Sequence, residues 1–180
     1  EQVNAAYGKP VWFQLYIQPR WNATVELIQR AESSGSKVLM VTLDSPARTV
    51  SAAGTLFQRL DSRDCKLCHN DNTGQRSHKP MVAPLSSTGM PEAGGPTLTW
   101  EIIARIRDVT NMQVLVKGIE TREDAVAARA VGVDGLYVSN HGGRVMHASR
   151  GALECLEEVV EGSGDLPVLI DSGFRRGSDV

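Results

Sequence analysis

Met112-Gln-Val-Leu-Val-Lys117-Gly-Ile-Glu-Thr121-Arg-Glu-Asp124, followed by an alanine-rich run to Gly132 and then Gly135-Leu-Tyr-Val-Ser139-Asn-His-Gly-Gly-Arg144, decides how this chain folds. Met112 to Lys117 is a short, nearly continuous apolar run, as expected of a strand in a parallel sheet covered on both faces. Thr121 places a hydroxyl at an N-cap position, with the Asp124 carboxylate three residues on. Gly132 stands where a left-handed C-terminal residue belongs. Gly135 to Ser139 is then a second strand, so the stretch is one β-α-β unit.

The same alternation extends outward. Val11 to Tyr16, Lys37 to Thr42 and Pro167 to Asp171 are further strand candidates. Helices are expected over Thr24 to Ser33, from a Thr99 cap through Ile102, Ile103 and Ile106, and over Ala152 to Val160. Strands alternating with helices imply an α/β fold with right-handed crossovers. Residues 45–96 break the pattern, being rich in Ser, Gly, Pro, Asn and Arg without periodicity. They read as one long irregular loop, since the alternation resumes after them.

Composition narrows the function classes. The chain has 180 residues, 41% of them hydrophobic, with 19 basic against 21 acidic side chains and a formal net charge of −2. That balance gives no electrostatic reason to expect nucleic acid or an anionic membrane surface as a partner. No apolar run reaches membrane-spanning length, and no secretion signal is visible. Three cysteines, an odd number, suit a reducing compartment, and the expectation is a cytoplasmic protein, at most peripheral to the inner membrane.

The polar residues fall at the strand ends. Gln14 and Tyr16 finish the first strand, Thr42 and Asp44 the second, Lys117 the third, Ser139 and His141 the fourth, and Asp171 the fifth. In a parallel β/α array these ends open on one face, where active sites are built. His141 and Arg144 share a glycine-rich turn. Asp171-Ser-Gly-Phe-Arg-Arg-Gly177 sets two arginines and two glycines just beyond a strand, which suits a phosphate held by backbone N–H groups and guanidinium.

These segments, in this order, resemble the FMN-dependent α-hydroxy acid oxidase/dehydrogenase family, which includes glycolate oxidase, lactate and mandelate dehydrogenases and flavocytochrome b2. Trp12-Phe-Gln-Leu-Tyr16, Thr42-Leu-Asp44, Leu115-Val-Lys-Gly118, Ser139-Asn-His-Gly-Gly-Arg144 and Asp171-Ser-Gly-Phe-Arg-Arg-Gly-Ser-Asp179 carry the resemblance. It implies a (β/α)8 TIM barrel, incomplete here, with strands three to seven present. Residues 1–180 would then be part of a single FMN-binding barrel domain. The implied activity is oxidation of a small 2-hydroxy acid to the 2-oxo acid, with oxygen, quinone or a cytochrome as electron acceptor. A homo-oligomer is expected at full length.

The resemblance also distributes roles. His141 matches the catalytic base, Asp44 the carboxylate paired with it, and Tyr16 the phenol near the substrate hydroxyl. Arg144 matches the guanidinium that holds the substrate carboxylate. Gln14, Thr42, Lys117 and Ser139 match flavin-ring contacts, and Asp171, Gly173 and Arg175 the ribityl and phosphate site. Arg48 and Arg59 compete for a second substrate arginine, and Ser172 replaces the commoner Gly of that motif. The alternatives are another FMN- or phosphate-binding barrel, such as a type 2 isopentenyl diphosphate isomerase, or an inactive fragment. Cys65-Lys-Leu-Cys68-His69 has the spacing of a c-type haem attachment or a zinc half-site, but the favoured expectation is no metal. His78 and His147 carry no signal of their own, and Cys155 is expected in the core.

Overall fold

Among the described residues, five parallel strands lie side by side in the order in which the chain makes them. They are β1 (Phe13–Leu15), β2 (Val38–Thr42), β3 (Gln113–Ile119), β4 (Gly135–Val138) and β5 (Val168–Ile170). The computed structural model describes residues 2–44, 56, 57, 59, 60, 98–144 and 150–179. The expectations for Arg48, Cys65 to His69, His78 and His147 therefore fall outside the described residues.

Sequential order is itself diagnostic. A doubly wound sheet reverses direction part-way, which puts helices on both faces; a strictly consecutive order with right-handed crossovers keeps them on one. That is the winding of a (β/α)8 barrel wall, and the fold is α/β of this type. Among the described residues, the helices between strands include α2 (Trp21–Ser33), α3 (Trp100–Arg107), α4 (Arg122–Val131) and α5 (Ala152–Ser163), residues 56, 57, 59 and 60 also being helical, with a short α1 (Gln2–Tyr7) before β1.

Period-two alternation divides each strand between two environments. Leu39, Val41, Val114, Val116, Leu136 and Val138 point to the helices and are essentially inaccessible. They pack with Ile28 of α2, Ile103 and Ile106 of α3, Ala125 and Ala128 of α4, and Cys155 and Val159 of α5. Cys155 is thus a core residue, as expected, and burial pushes its thiol pKa up. The opposite sheet face carries Gln14, Met40, Lys117, Tyr137 and Leu169, aligned by the pairings Gln14 with Met40, Thr42 with Lys117, and Tyr137 with Lys117 and Leu169. The expectation of strands covered on both faces holds for β2 and β3 but not for β1 and β5, whose side chains are partly open because each has one neighbouring strand.

Helix boundaries follow local chemistry. Thr121 accepts the Asp124 amide at 3.1 Å and Gly132 closes α4 at φ 84°, both as the sequence indicates. Thr99 occupies the N-cap position of α3 without a side-chain bond to the helix amides. α2 starts three residues earlier than expected, because Thr24 is buried inside it and accepts the Gln18 amide at 2.9 Å. α5 runs on to Ser163, its start held by the Glu154 carboxylate accepting the Gly151 amide at 2.9 Å.

If the helix-facing side of β4 is core, Leu136→Ala should cost about 3 kcal/mol of unfolding free energy. Val126→Ala, on the 42% exposed position of α4, should stay within about 0.5 kcal/mol of wild type. Urea denaturation of both variants measures the contrast.

Candidate active site

The C-terminal ends of the five strands converge on one cleft of about 340 Å³, lined by Gln14, Tyr16, Lys117, His141, Gly142, Arg144, Asp171 and Ser172. The ends of β1, β3, β4 and β5 thus deliver polar side chains to the lining, as the strand-end pattern predicts, and the end of β2 stands behind it. Thr42, Asp44 and Ser139 sit directly behind this lining. Thr42 accepts the Gln14 amide at 2.8 Å, and Ser139 accepts the Lys117 ammonium at 2.6 Å.

Lys117 is the hub. Its residue is only 7% exposed, and its Nζ lies 3.6 Å from Asp44 Oδ2 and 3.6 Å from Asp171 Oδ2. A buried ammonium persists only when paired and hydrogen-bonded, and two carboxylates plus a hydroxyl meet that need. The ammonium also stands 5.7 Å above the Tyr137 ring. Burial raises the Asp171 pKa, but hydrogen bonds from Ser139 and Ser172 and the Lys117 charge outweigh it and hold the carboxyl below its usual range. Glu120, just past β3, is pushed the other way by burial and by Asp44, against the pull of Arg150.

Asp44 reaches His141 as well. His141 Nδ1 is 2.9 Å from Asp44 Oδ1, which leaves Nε2 directed at the cleft, 3.4 Å from the Tyr16 hydroxyl. Asp44 can lie this close because of Gly118. The strand register shifts between Lys117 and Ile119, and Gly118 takes φ 96° there; a Cβ at Gly118 would fall 2.5 Å from Asp44 Cβ. A lone glycine inside an apolar strand is the sequence signal for such a bulge, although the residue pattern alone did not say which side chain it admits.

The turn carrying His141 and Arg144 is held by side chains. His141 and Gly142 both adopt left-handed backbone, at φ 57° and 66°. Asn140, which sequence reasoning passed over, accepts the Gly143 amide through Oδ1 at 3.2 Å and donates to the Arg150 carbonyl at 3.0 Å. Arg144 is exposed and donates from Nε to the His141 carbonyl at 3.0 Å. Gly173 and Arg175 lie on the loop after β5, beside the cleft and outside its lining, where the Arg175 and Arg176 amides are accepted by Asp179. Arg59 is exposed and does not line the cleft either. Among the described residues no cluster of His, Cys, Asp and Glu could hold a metal ion, and no helix is long and apolar enough to cross a membrane.

A family model described as FMN-dependent dehydrogenase matches residues 1–180. The chain belongs to this family. It is 34% identical over 190 residues to a peroxisomal (S)-2-hydroxyacid oxidase of Arabidopsis thaliana, covering 100% of this chain and 49% of that protein. It is 36% identical over 180 residues to 2-hydroxyacid oxidase 2 of Mus musculus, covering 99% and 49%. Among solved structures, a mandelate oxidase variant with (S)-mandelic acid superposes with a TM-score of 0.73 at 29% identity, over 98% of this chain and 46% of that one. The chain spans about half the length of the curated relatives it matches. Its family uses FMN, and these relatives are hydroxy acid oxidases, so the isomerase alternative is set aside.

Two measurements test the geometry. Gly118→Ala forces a Cβ against Asp44 at a positive φ, and should cost at least about 2 kcal/mol in urea denaturation. The depressed Asp171 pKa stabilises the fold above the unfolded value of about 3.9, and that stabilisation is lost as pH falls through the lower folded value. The melting-temperature advantage of wild type over Asp171→Asn should therefore shrink between about pH 7 and about pH 3.

Proposed function

We propose that this protein oxidises a small 2-hydroxy acid to the 2-oxo acid with FMN, in a reducing, cytoplasmic setting, and that residues 1–180 form part of a single FMN-binding barrel domain. One observation carries the reading. The His141 imidazole is braced by Asp44 on Nδ1 and presents Nε2 to a cleft that also holds the Tyr16 phenol and the Arg144 guanidinium. A base, a hydroxyl partner and a carboxylate receptor in one cleft are what a 2-hydroxy acid requires.

The residues present also suit the cofactor. Gly173, at φ 99°, has no atom within 4 Å of the position a Cβ would take, so a phosphate or ribityl chain could approach its backbone. Arg175 and Asp171 would flank that segment. Gln14, Thr42 and Ser139 offer polar groups along the strand ends, and Lys117 supplies a buried positive charge toward a ring that gains negative charge on reduction. Bound FMN would take up the two electrons released from the substrate.

The chain's own residues then have defined tasks. Arg144 would grip the substrate carboxylate with its forked donors and so turn the 2-hydroxyl toward the base. His141 Nε2 would take the hydroxyl proton while the α C–H bond breaks and its hydrogen leaves with the electron pair, and Asp44 would stabilise the resulting imidazolium. Tyr16, 3.4 Å from Nε2, would hydrogen-bond the same substrate oxygen. Asp44 serves two cations in turn, since it also faces Lys117.

In the flavin-loaded protein, His141→Gln should abolish turnover while FMN remains bound; unchanged steady-state rates would remove His141 as the base. Arg144→Lys keeps the charge but loses the fork, and should lower kcat/KM for a 2-hydroxy acid by about one to two decades. A 2-hydroxy amide, compared on the same two proteins, should be far less affected. Equal proportional losses on acid and amide would mean that Arg144 does not read the carboxylate.

A further inference from the structure

Ser172 adopts φ 77°, a left-handed conformation in which a side chain is unfavourable and glycine is at ease. Its hydroxyl is fully engaged there. Oγ donates to Asp171 Oδ1 at 2.8 Å and accepts the Gly142 amide at 3.1 Å. Ser172 therefore ties the loop after β5 to the turn after β4.

The amide it receives belongs to a series. His141, Gly142 and Gly143 are consecutive, and none of their N–H groups enters the sheet. The His141 amide goes to Ser139 Oγ at 3.1 Å, the Gly142 amide to Ser172 Oγ, and the Gly143 amide to Asn140 through its carbonyl at 2.9 Å and its Oδ1 at 3.2 Å. Ser139 and Asn140 adjoin the turn on the same β/α unit, Ser139 Oγ being held in turn by the Lys117 ammonium at 2.6 Å. Ser172 is the acceptor from another β/α unit. Through Asp171 it is also connected to Lys117.

We infer that Ser172 is a positioning residue: its hydroxyl fixes the Gly142 amide against the Asp171–Lys117 pair and so sets where the His141 imidazole stands in the cleft. This rests on the function proposed above for His141.

Two variants separate hydroxyl from backbone. Ser172→Gly removes the hydroxyl and relieves the left-handed strain, whereas Ser172→Ala removes the hydroxyl and keeps the strain. Amide hydrogen exchange at residues 135–144, measured without added ligand, should lose about tenfold protection at Gly142 in both variants. The melting temperature should fall in Ser172→Ala and hold or rise in Ser172→Gly. In the FMN-saturated protein, kcat for a 2-hydroxy acid should fall about tenfold in both, because one positioning hydrogen bond is lost. A role confined to stability would instead make kcat follow the melting temperature and leave Ser172→Gly at wild-type rate. Ser172→Gly with Gly142 protection and kcat both within about twofold of wild type would overturn the inference. If wild type itself turns over no 2-hydroxy acid, the functional reading fails. The exchange comparison then decides the Ser172–Gly142 link: intact protection overturns it and lost protection upholds it.

Discussion

The site depends on one buried ammonium. Lys117 stands at the C-terminal end of the central strand, and Asp44, Asp171 and Ser139 reach it from β2, β5 and β4. Without that charge, the Asp44 and Asp171 carboxylates would lose the ammonium that both of them face. With it, Asp171 stays ionised, and Asp44 braces His141 beside the same cation. A single cation thereby ties together side chains from four strand ends.

Backbone conformations that most residues avoid deliver these groups. The Gly118 bulge opens room for Asp44, the left-handed His141–Gly142 pair turns the imidazole over the cleft, and Ser172 accepts strain to hold that turn. Strain of this kind persists only where the surroundings fix it, and here those surroundings are hydrogen bonds between neighbouring β/α units. The apolar face of the same sheet is regular by contrast, because packing Val, Leu and Ile against helices demands nothing unusual of the backbone.

Much of this arrangement was legible in the residues. Alternating β/α signals gave the fold class, and polar residues at consecutive strand ends located the cleft, since both depend on local period and chain order. Thr121 and Gly132 bounded α4 correctly because capping chemistry is local. Thr99 took the expected N-cap position but without a side-chain bond to the helix, and Thr24, expected to open α2, lies inside it, where its hydroxyl accepts a loop amide. Assigning roles to His141, Arg144 and Lys117 came from family resemblance rather than from pattern. The contributions of Gly118, Asn140 and Ser172 were invisible, because each acts on a residue that is distant in sequence or through a backbone angle that composition does not encode.

The most direct test of the account is an FMN titration of the purified protein, followed by flavin absorbance, with wild type beside Lys117→Met and folding of both verified by circular dichroism. The account predicts that wild type binds FMN with a shifted visible spectrum and that Lys117→Met binds at least about tenfold more weakly. Equal affinity in the two proteins, or no binding by wild type, would contradict it.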